Sequence, residues 1–421
     1  MSSAPEEPSI EDQKDDFLEF GLSDGIPDAG KLDEVGRQHK KATRAEIKSL
    51  IDVLGGFEYW NDLNEDCRRE VVKYLEYAER NRLGICSKRD YETVKATPMD
   101  VYRVEIYDNQ KRHWSCGPEE FDNVVVQIQL HRRYSHHNRH TRLFELIFSQ
   151  LGDDTQIRWM HDKLTQLPEK RSIVWESCNY YEEAVKFAEK WMKKCNFELK
   201  HIRVEMSHYP FETSSIRSLP KCESFRISTD DVDAFRWWLQ KVPDQLKDVQ
   251  LLTLNTDREV FTLPSEFLNA TQIMKTSEFC FGCRADFTDE QFLKLEANRF
   301  SFSCVSITDE GVNQFIKRWV NGSGFEFKQA HLWSQKKRNF SKLTSGLEVR
   351  AWNANFQIEA WAECCGDFDR ICGRGKCVQI PNRVDPYESL TLSVSYNCVS
   401  IYASGHKHTR NGITYTYYSV P

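Results

Sequence analysis

Residues 57–95 read FEYWNDLNEDCRREVVKYLEYAERNRLGICSKRDYETVK, and this stretch decides the character of the N-terminal part of the chain. Asn64 is a good helix N-cap, and Glu65 and Asp66 behind it favour the positive end of a helix. Cys67, Val71, Val72 and Leu75 then make one apolar stripe, while Arg68, Arg69, Glu70 and Lys73 face away. Two further short helices follow, one carrying Leu83 and one carrying Tyr91 and Val94. Three short helices in about forty residues make a core that is marginal alone, and such a unit commonly relies on a partner to complete it.

Upstream, Ile47, Leu50, Ile51 and Leu54 recur at helical spacing from about Thr43, and Gly55-Gly56 stops that run. Residues 1–42 are different. Residues 1–36 hold eleven Asp or Glu against Lys14 and Lys31, a net of −9 out of −7 for the whole chain, so the remainder sums to +2. With few apolar residues to bury, residues 1–42 are expected to form an acidic disordered tail. The rest of the 421 residues is a globular chain, because 40% hydrophobic and 12% aromatic content is far too much for a disordered one. Neither part advertises a polyanion-binding surface, so nucleic acid is not an expected partner.

No run approaches the roughly 18 apolar residues of a membrane span, and the acidic start lacks the basic and apolar regions of a signal peptide. A cytoplasmic or nuclear location, with no membrane partner, is therefore expected. In that reducing setting the 14 cysteines are read as free, mostly buried thiols.

Beyond Pro98 the text becomes mixed α and β. Val101, Val104 and Ile106, then VVVQIQL at 124–130, read as strands, and Leu143–Leu151 and Glu182–Lys194 read as helices, the latter burying Ala184, Phe187, Ala188 and Trp191. Strand-like cores then recur near Ile202, Phe225, Leu252, Phe279, Phe300 and Ala330, at intervals of 23, 27, 27, 21 and 30 residues. The helix at 307–322 is the best specified: Thr308 caps it, Asp309 and Glu310 favour its start, Val312, Phe315, Ile316 and Trp319 form its stripe, and Gly322 ends it. One strand and one helix every 20–30 residues is the mark of a leucine-rich-repeat-like stack. The fixed leucine pattern and the asparagine ladder are missing, so an irregular α/β stack is expected. Residues 378–380, 389–395, 398–404 and 414–420 alternate like antiparallel strands and would close the stack's end.

Familiar catalytic constellations are missing: there is no phosphate loop, zinc helix, nucleophile elbow or kinase signature. Gly373-Arg374-Gly375-Lys376 precedes a strand-like run and reads as a turn. Cys280-x-x-Cys283 has a zinc-type spacing, and Cys364, Cys365, Cys372 and Cys377 crowd one segment. Strand alternation would turn Cys280 and Cys283 to opposite faces, and no second pair follows at the usual interval, so no metal and no cofactor is expected. The segment HRRYSHHNRHTR at 131–142 could hold phosphate or stack on a base, but reads more simply as a solvated loop. Adjacent Trp237 and Trp238 must point in different directions, and although tryptophan is favoured at interfaces, each of these and of Trp333, Trp352 and Trp361 is read singly as a core residue and not a contact.

The helical unit resembles an F-box. That family opens its first helix with a Leu-Pro pair, continues with apolar residues on one face and closes with a Cys- or Ser-rich half bearing an aromatic. Here the matching text is Leu63-Asn64-Glu65-Asp66, then Val71-Val72 and Leu75, then Leu83, Cys86-Ser87 and Tyr91, with Asn64 in place of the proline. The sequence after it resembles the F-box-associated regions of the large nematode F-box families, in Val101-Tyr102-Arg103-Val104-Glu105-Ile106, in the Thr308–Gly322 helix with Asn313, Lys317 and Trp319, and in the C-terminal strands. The fold class implied is α+β or α/β: a short three-helix F-box, then the irregular stack closed by antiparallel strands. The domains would be the tail at 1–42, the F-box-like unit at 43–98 and an α/β recognition domain at 99–421.

The resemblance implies a non-catalytic substrate receptor of a Skp–cullin–F-box ubiquitin ligase. Leu63, Asn64, Cys67, Val71, Val72, Leu75 and Leu83 would meet a Skp-family adaptor, and through it a cullin. The C-terminal domain would hold a target protein through residues the sequence does not assign. A protein-binding scaffold with no ligase connection, a nucleic-acid binder and an unrecognised hydrolase are the alternatives, in that order.

Overall fold

The computed structural model describes residues 59–75, 77–98, 101–108, 122–130, 142–160, 172–194, 199–219, 221–254, 261–322, 326–351, 376–385, 388–404, 407–410 and 413–416. The expected tail, the helix at 43–56, the 131–141 part of the histidine-arginine segment, Cys364, Cys365, Cys372, Trp352 and Trp361 lie outside them. Two compact units account for the described chain, one drawn from residues 1–104 and 123–198, the other from 105–122 and 199–421.

The first unit begins with three short helices: α1 (Glu65–Tyr74), α2 (Tyr77–Gly84) and α3 (Lys88–Ala96). Strand β1 (Val101–Asp108) follows, its first four residues in this unit and its last four in the second. Then comes an antiparallel meander of β2 (Asn123–Leu130), β3 (Arg142–Leu151), β4 (Asp154–Met160) and β5 (Ser172–Trp175). The helix expected at 143–151 is thus a strand. A short apolar run carries no decisive periodicity, and pairing with VVVQIQL on one side and β4 on the other decides the matter. Helix α4 (Tyr180–Lys194) packs on β2 and β3 through the expected face, Ala184, Phe187, Ala188 and Trp191, with the Phe187 ring 5.9 Å from Phe148.

The second unit is a stack of strand-and-helix units on one sheet. Strands β6 (Leu199–Glu205), β7 (Cys222–Ser228), β8 (Asp248–Leu252), β10 (Glu278–Ala285), β11 (Arg299–Cys304) and β12 (Gln329–Trp333) run parallel in that order, with the short β9 (Thr262–Leu263) beside β10. The register lines up Ile202, Phe225, Val249, Phe279, Phe300 and Ala330 in one row across the sheet. Five of these six are the strand cores picked out by the sequence. The third is Val249 rather than Leu252, which ends β8, so the spacings are 24 and 30 residues on either side of it instead of 27 and 27.

Helices α5 (Val232–Leu239), α6 (Thr271–Met274), α7 (Asp289–Lys294) and α8 (Asp309–Val320) lie in the connections. They cover the face that carries this row: Trp238 lies 5.6 Å from Phe225, Phe292 5.9 Å and Phe315 5.8 Å from Phe300. Aromatic pairs at these separations add to the burial of their area. Helix α8 matches its sequence reading in full: the Thr308 hydroxyl accepts from the Gly311 amide at 3.0 Å, the four stripe residues are buried, and Gly322 adopts a left-handed φ of 76°. Buried Asn313 donates to the carbonyls of Leu343 and Ser345, tying α8 to α9 (Phe340–Leu343).

Beyond β12 the pairing turns antiparallel through β16 (Cys398–Ser404), β15 (Ser389–Val394), β14 (Lys376–Pro381) and β13 (Arg350–Ala351), with a separate hairpin of β17 (Lys407–Arg410) and β18 (Ile413–Thr416). The apolar row continues as Ile401, Leu392 and Val378. The architecture is α+β: three N-terminal helices followed by mixed sheets and a few helices, with antiparallel strands on the end of the parallel stack.

Candidate adaptor-binding face

The helical unit is assembled around two buried cations. Arg68 is fully buried, so it does not face away as its charge suggested. Its guanidinium lies 5.1 Å from the Trp60 ring centre, donates to the Trp60 carbonyl at 3.1 Å and sits 3.7 Å from the Asp90 carboxylate. Asp90 also accepts from the Trp60 indole and from Ser87, each at 2.7 Å, and the Ser87 hydroxyl in turn caps α3. This cluster joins the segment before α1, α1 itself and α3.

Arg80 is the second hub. It donates to the carbonyls of Lys73 and Leu75 at the end of α1 and of Thr97 and Pro98 just past α3, and so ties the two helix ends together. Thr93 adds a bond to Glu65 at 2.9 Å. Neither arginine role was legible in the sequence, where both look like solvated charges; a tryptophan eight residues before an arginine carries no recognised spacing.

Burial of Arg68 turns α1 by one position. Its inward residues are Arg68 and Val72, and Leu83 joins them in the core. The expected single stripe is therefore split: Val72 and Leu83 hold the unit together, whereas Leu63, Val71 and Leu75 are half-buried and Asn64 and Cys67 are exposed. Within α1, Cys67, Val71 and Tyr74 follow one another at spacings of four and three, so they share its outward face, and half-buried Leu63 lies in the extended segment just before the cap. Tyr74 is 56% exposed, and Tyr59 and Ile85 are further exposed large apolar side chains of the unit. Asn64 marks the start of this face. Its side chain accepts from the Cys67 amide at 2.8 Å and so performs the capping that a proline would replace by fixing φ.

Of the sequence's rival sites, the Cys280-x-x-Cys283 pair lies within the described residues. In β10 Cys283 is buried and Cys280 half-buried on the other face, and burial pushes both thiols up, Cys283 to about 12. Among the described residues no group of three or more His, Cys, Asp or Glu could hold a metal ion. Trp238 is in the core as expected, Trp237 packs half-exposed against Tyr209 and Phe211, and Trp333 is not a core residue: it ends β12, past the covered strands, and is exposed. No described helix is long and apolar enough to cross a membrane.

The F-box domain model matches residues 60–100, the segment that contains α1, α2 and α3. An uncharacterized F-box protein of Caenorhabditis elegans is 44% identical over 393 residues, which cover 93% of this chain and all of that protein. No solved structure matches the chain. F-box domains generally bind Skp-type adaptors, and F-box proteins are generally non-catalytic. The three capped helices, the family match over them and the relative aligned along most of the chain together make this chain a member of the F-box protein family.

Proposed function

We infer that the chain is the substrate-recognition subunit of a Skp–cullin–F-box ubiquitin ligase. Residues 43–98 dock onto a Skp-family adaptor and through it a cullin, and residues 99–421, as an F-box-associated domain, hold a target protein for ubiquitin-dependent degradation. The observation that carries this reading is the outward face Cys67, Val71 and Tyr74, with Leu63 just ahead of it, on a helical unit whose own core is small. Apolar side chains left in water on such a unit favour association with a partner. Leu63, Cys67, Val71 and Leu75 supply the contact, Asn64 sets the helix start, and Val72 and Leu83 keep the face in shape from beneath. The chain itself transfers nothing. It raises the effective concentration of a target beside the charged conjugating enzyme. The place of action is the cytoplasm or nucleus.

The test is reconstitution of the full chain with a Skp-family adaptor, a cullin, its RING partner, a conjugating enzyme and ubiquitin. The expected result is a co-eluting assembly in which the chain becomes ubiquitinated in cis, with both assembly and modification lost in a Cys67→Arg, Tyr74→Ala variant. An adaptor complex that never recruits the cullin would contradict the ligase reading.

A further inference from the structure

The second unit carries an exposed aromatic cluster at the carboxyl end of its parallel sheet. Trp333 closes β12 and is 45% exposed, Tyr396 in the β15–β16 turn is 77% exposed, and Val305 just after β11 is 44% exposed. They lie together: Trp333 pairs with Cys398 and with Ser303, and the Ser334 amide donates to the Asn397 carbonyl at 2.8 Å. This is the place where the sheet changes from parallel to antiparallel, since β12 has β11 on one side and β16 on the other.

The cluster is held rigidly. Buried Arg338 donates to the Ile307 carbonyl at 2.8 Å and to the Cys304 sulfur at 2.8 Å, and pairs with Asp309 at 3.3 Å. The Cys304 thiol donates to the Trp333 carbonyl at 3.1 Å, so the 334–339 loop is pinned to the strand ends. A preorganised tryptophan loses little freedom on binding, and tryptophan and tyrosine are the residues that most often dominate an interface. Two exposed lysines, Lys336 and Lys337, stand in this loop. The carboxylate of Asp309 is taken up by Arg338 and the Asn339 amide.

We propose that Trp333, Tyr396 and Val305, together with Lys336 and Lys337 of the adjoining loop, form the surface that takes an acidic peptide segment of the target, one bulky apolar side chain flanked by carboxylates. The aromatic surface receives the apolar side chain and the lysines pair with the flanking carboxylates, which sets both affinity and charge selectivity. This rests on the receptor reading above and names the chemistry of its target.

The experiment uses the full chain and fluorescein-labelled twelve-residue peptides with a central Trp or Leu, flanked by Asp and Glu, by Lys, or by Ser. The expected result is binding of the acidic set at least tenfold tighter than the other two, weakened at least tenfold by Trp333→Ala and by the Lys336→Glu, Lys337→Glu pair. The charge-reversed pair should gain affinity for the Lys peptides, a change that mere loss of structure cannot produce. Equal affinity for all three sets, or acidic-peptide binding untouched by the variants, overturns the proposal. So does binding of phosphatidylserine vesicles or a single-stranded oligonucleotide in place of the peptides. Adaptor binding is measured on the same samples: its retention without peptide selectivity defeats this surface alone, and its absence with peptide selectivity intact defeats the receptor reading alone.

Discussion

Replacing Asp90 by alanine removes the counter-charge of a guanidinium that is fully buried. Asp90 holds the Trp60 indole and Ser87 at 2.7 Å and faces Arg68 at 3.7 Å. The two hydrogen bonds contribute about 1 kcal/mol each. Leaving a buried cation without its partner brings the total to about 3–5 kcal/mol. At roughly 0.05–0.15 kcal/mol per residue, a unit of about forty residues holds on the order of 2–6 kcal/mol. The substitution should therefore open most of the helical unit while the sheets stay closed. Native-state hydrogen exchange reads this directly, as loss of amide protection in 59–98 with protection retained in β6–β12. The pairing logic is tested by adding Arg68→Met: with the cation gone the double variant should cost no more than Asp90→Ala alone, a coupling of about 1–3 kcal/mol. Costs that simply add, or protection unchanged by Asp90→Ala, would refute the argument that this cluster organises the unit.

Other substitutions probe the rest of the framework. A Cβ at Gly311 would stand 2.1 Å from Asp289 Oδ1, so Gly311→Ala must displace the carboxylate that accepts from the Thr308 amide and hydroxyl; a loss of about 1–3 kcal/mol in thermal unfolding is expected. Hydrogen bonding from Lys200, opposed by some desolvation and aided by Lys247, lowers Glu223 to about 2. Its contribution is then present above the ordinary carboxylate range and fades as pH falls from about 4.5 toward 2; because the group is near the surface it amounts to less than about 1 kcal/mol, and Glu223→Gln should flatten that part of the stability profile. Burial pushes Cys222 and Cys283 up to about 12, so iodoacetamide at pH 8 should label exposed Cys67 in the native chain and leave these two unlabelled until denaturant is added, as peptide mass mapping will show. Asn64→Ala should cost the first helix about 1 kcal/mol by removing its cap, visible as faster exchange in its first turn.

Locally encoded features were legible. The 307–322 segment carries its cap, its stripe and its terminating glycine within sixteen residues, and α8 follows from them. The apolar row across the stack was readable because each strand core is a short aromatic or β-branched run. Its one slip, Leu252 for Val249, reflects that register is set by neighbouring strands and not by the run itself. Residues 143–151 show the same limit: an apolar run takes the form its partners impose, here β2 and β4. In the helical unit the sequence placed the three helices, but not the rotation of the first. That rotation comes from Arg68 finding Trp60 and Asp90, eight and twenty-two residues away, and no periodicity reports a buried cation satisfied at that range.

The measurement closest to the central claim is a titration of the full chain with a Skp-family adaptor, comparing wild type with Leu63→Asp, Leu75→Asp and with the surface pair Cys67→Arg, Tyr74→Ala. Leu63 and Leu75 are half-buried, so circular dichroism checks the first variant's fold, while the second alters exposed side chains alone. The account expects a stable one-to-one complex with wild type and its loss in both variants. A folded wild-type chain that binds no adaptor, or a complex indifferent to both variants, would contradict it.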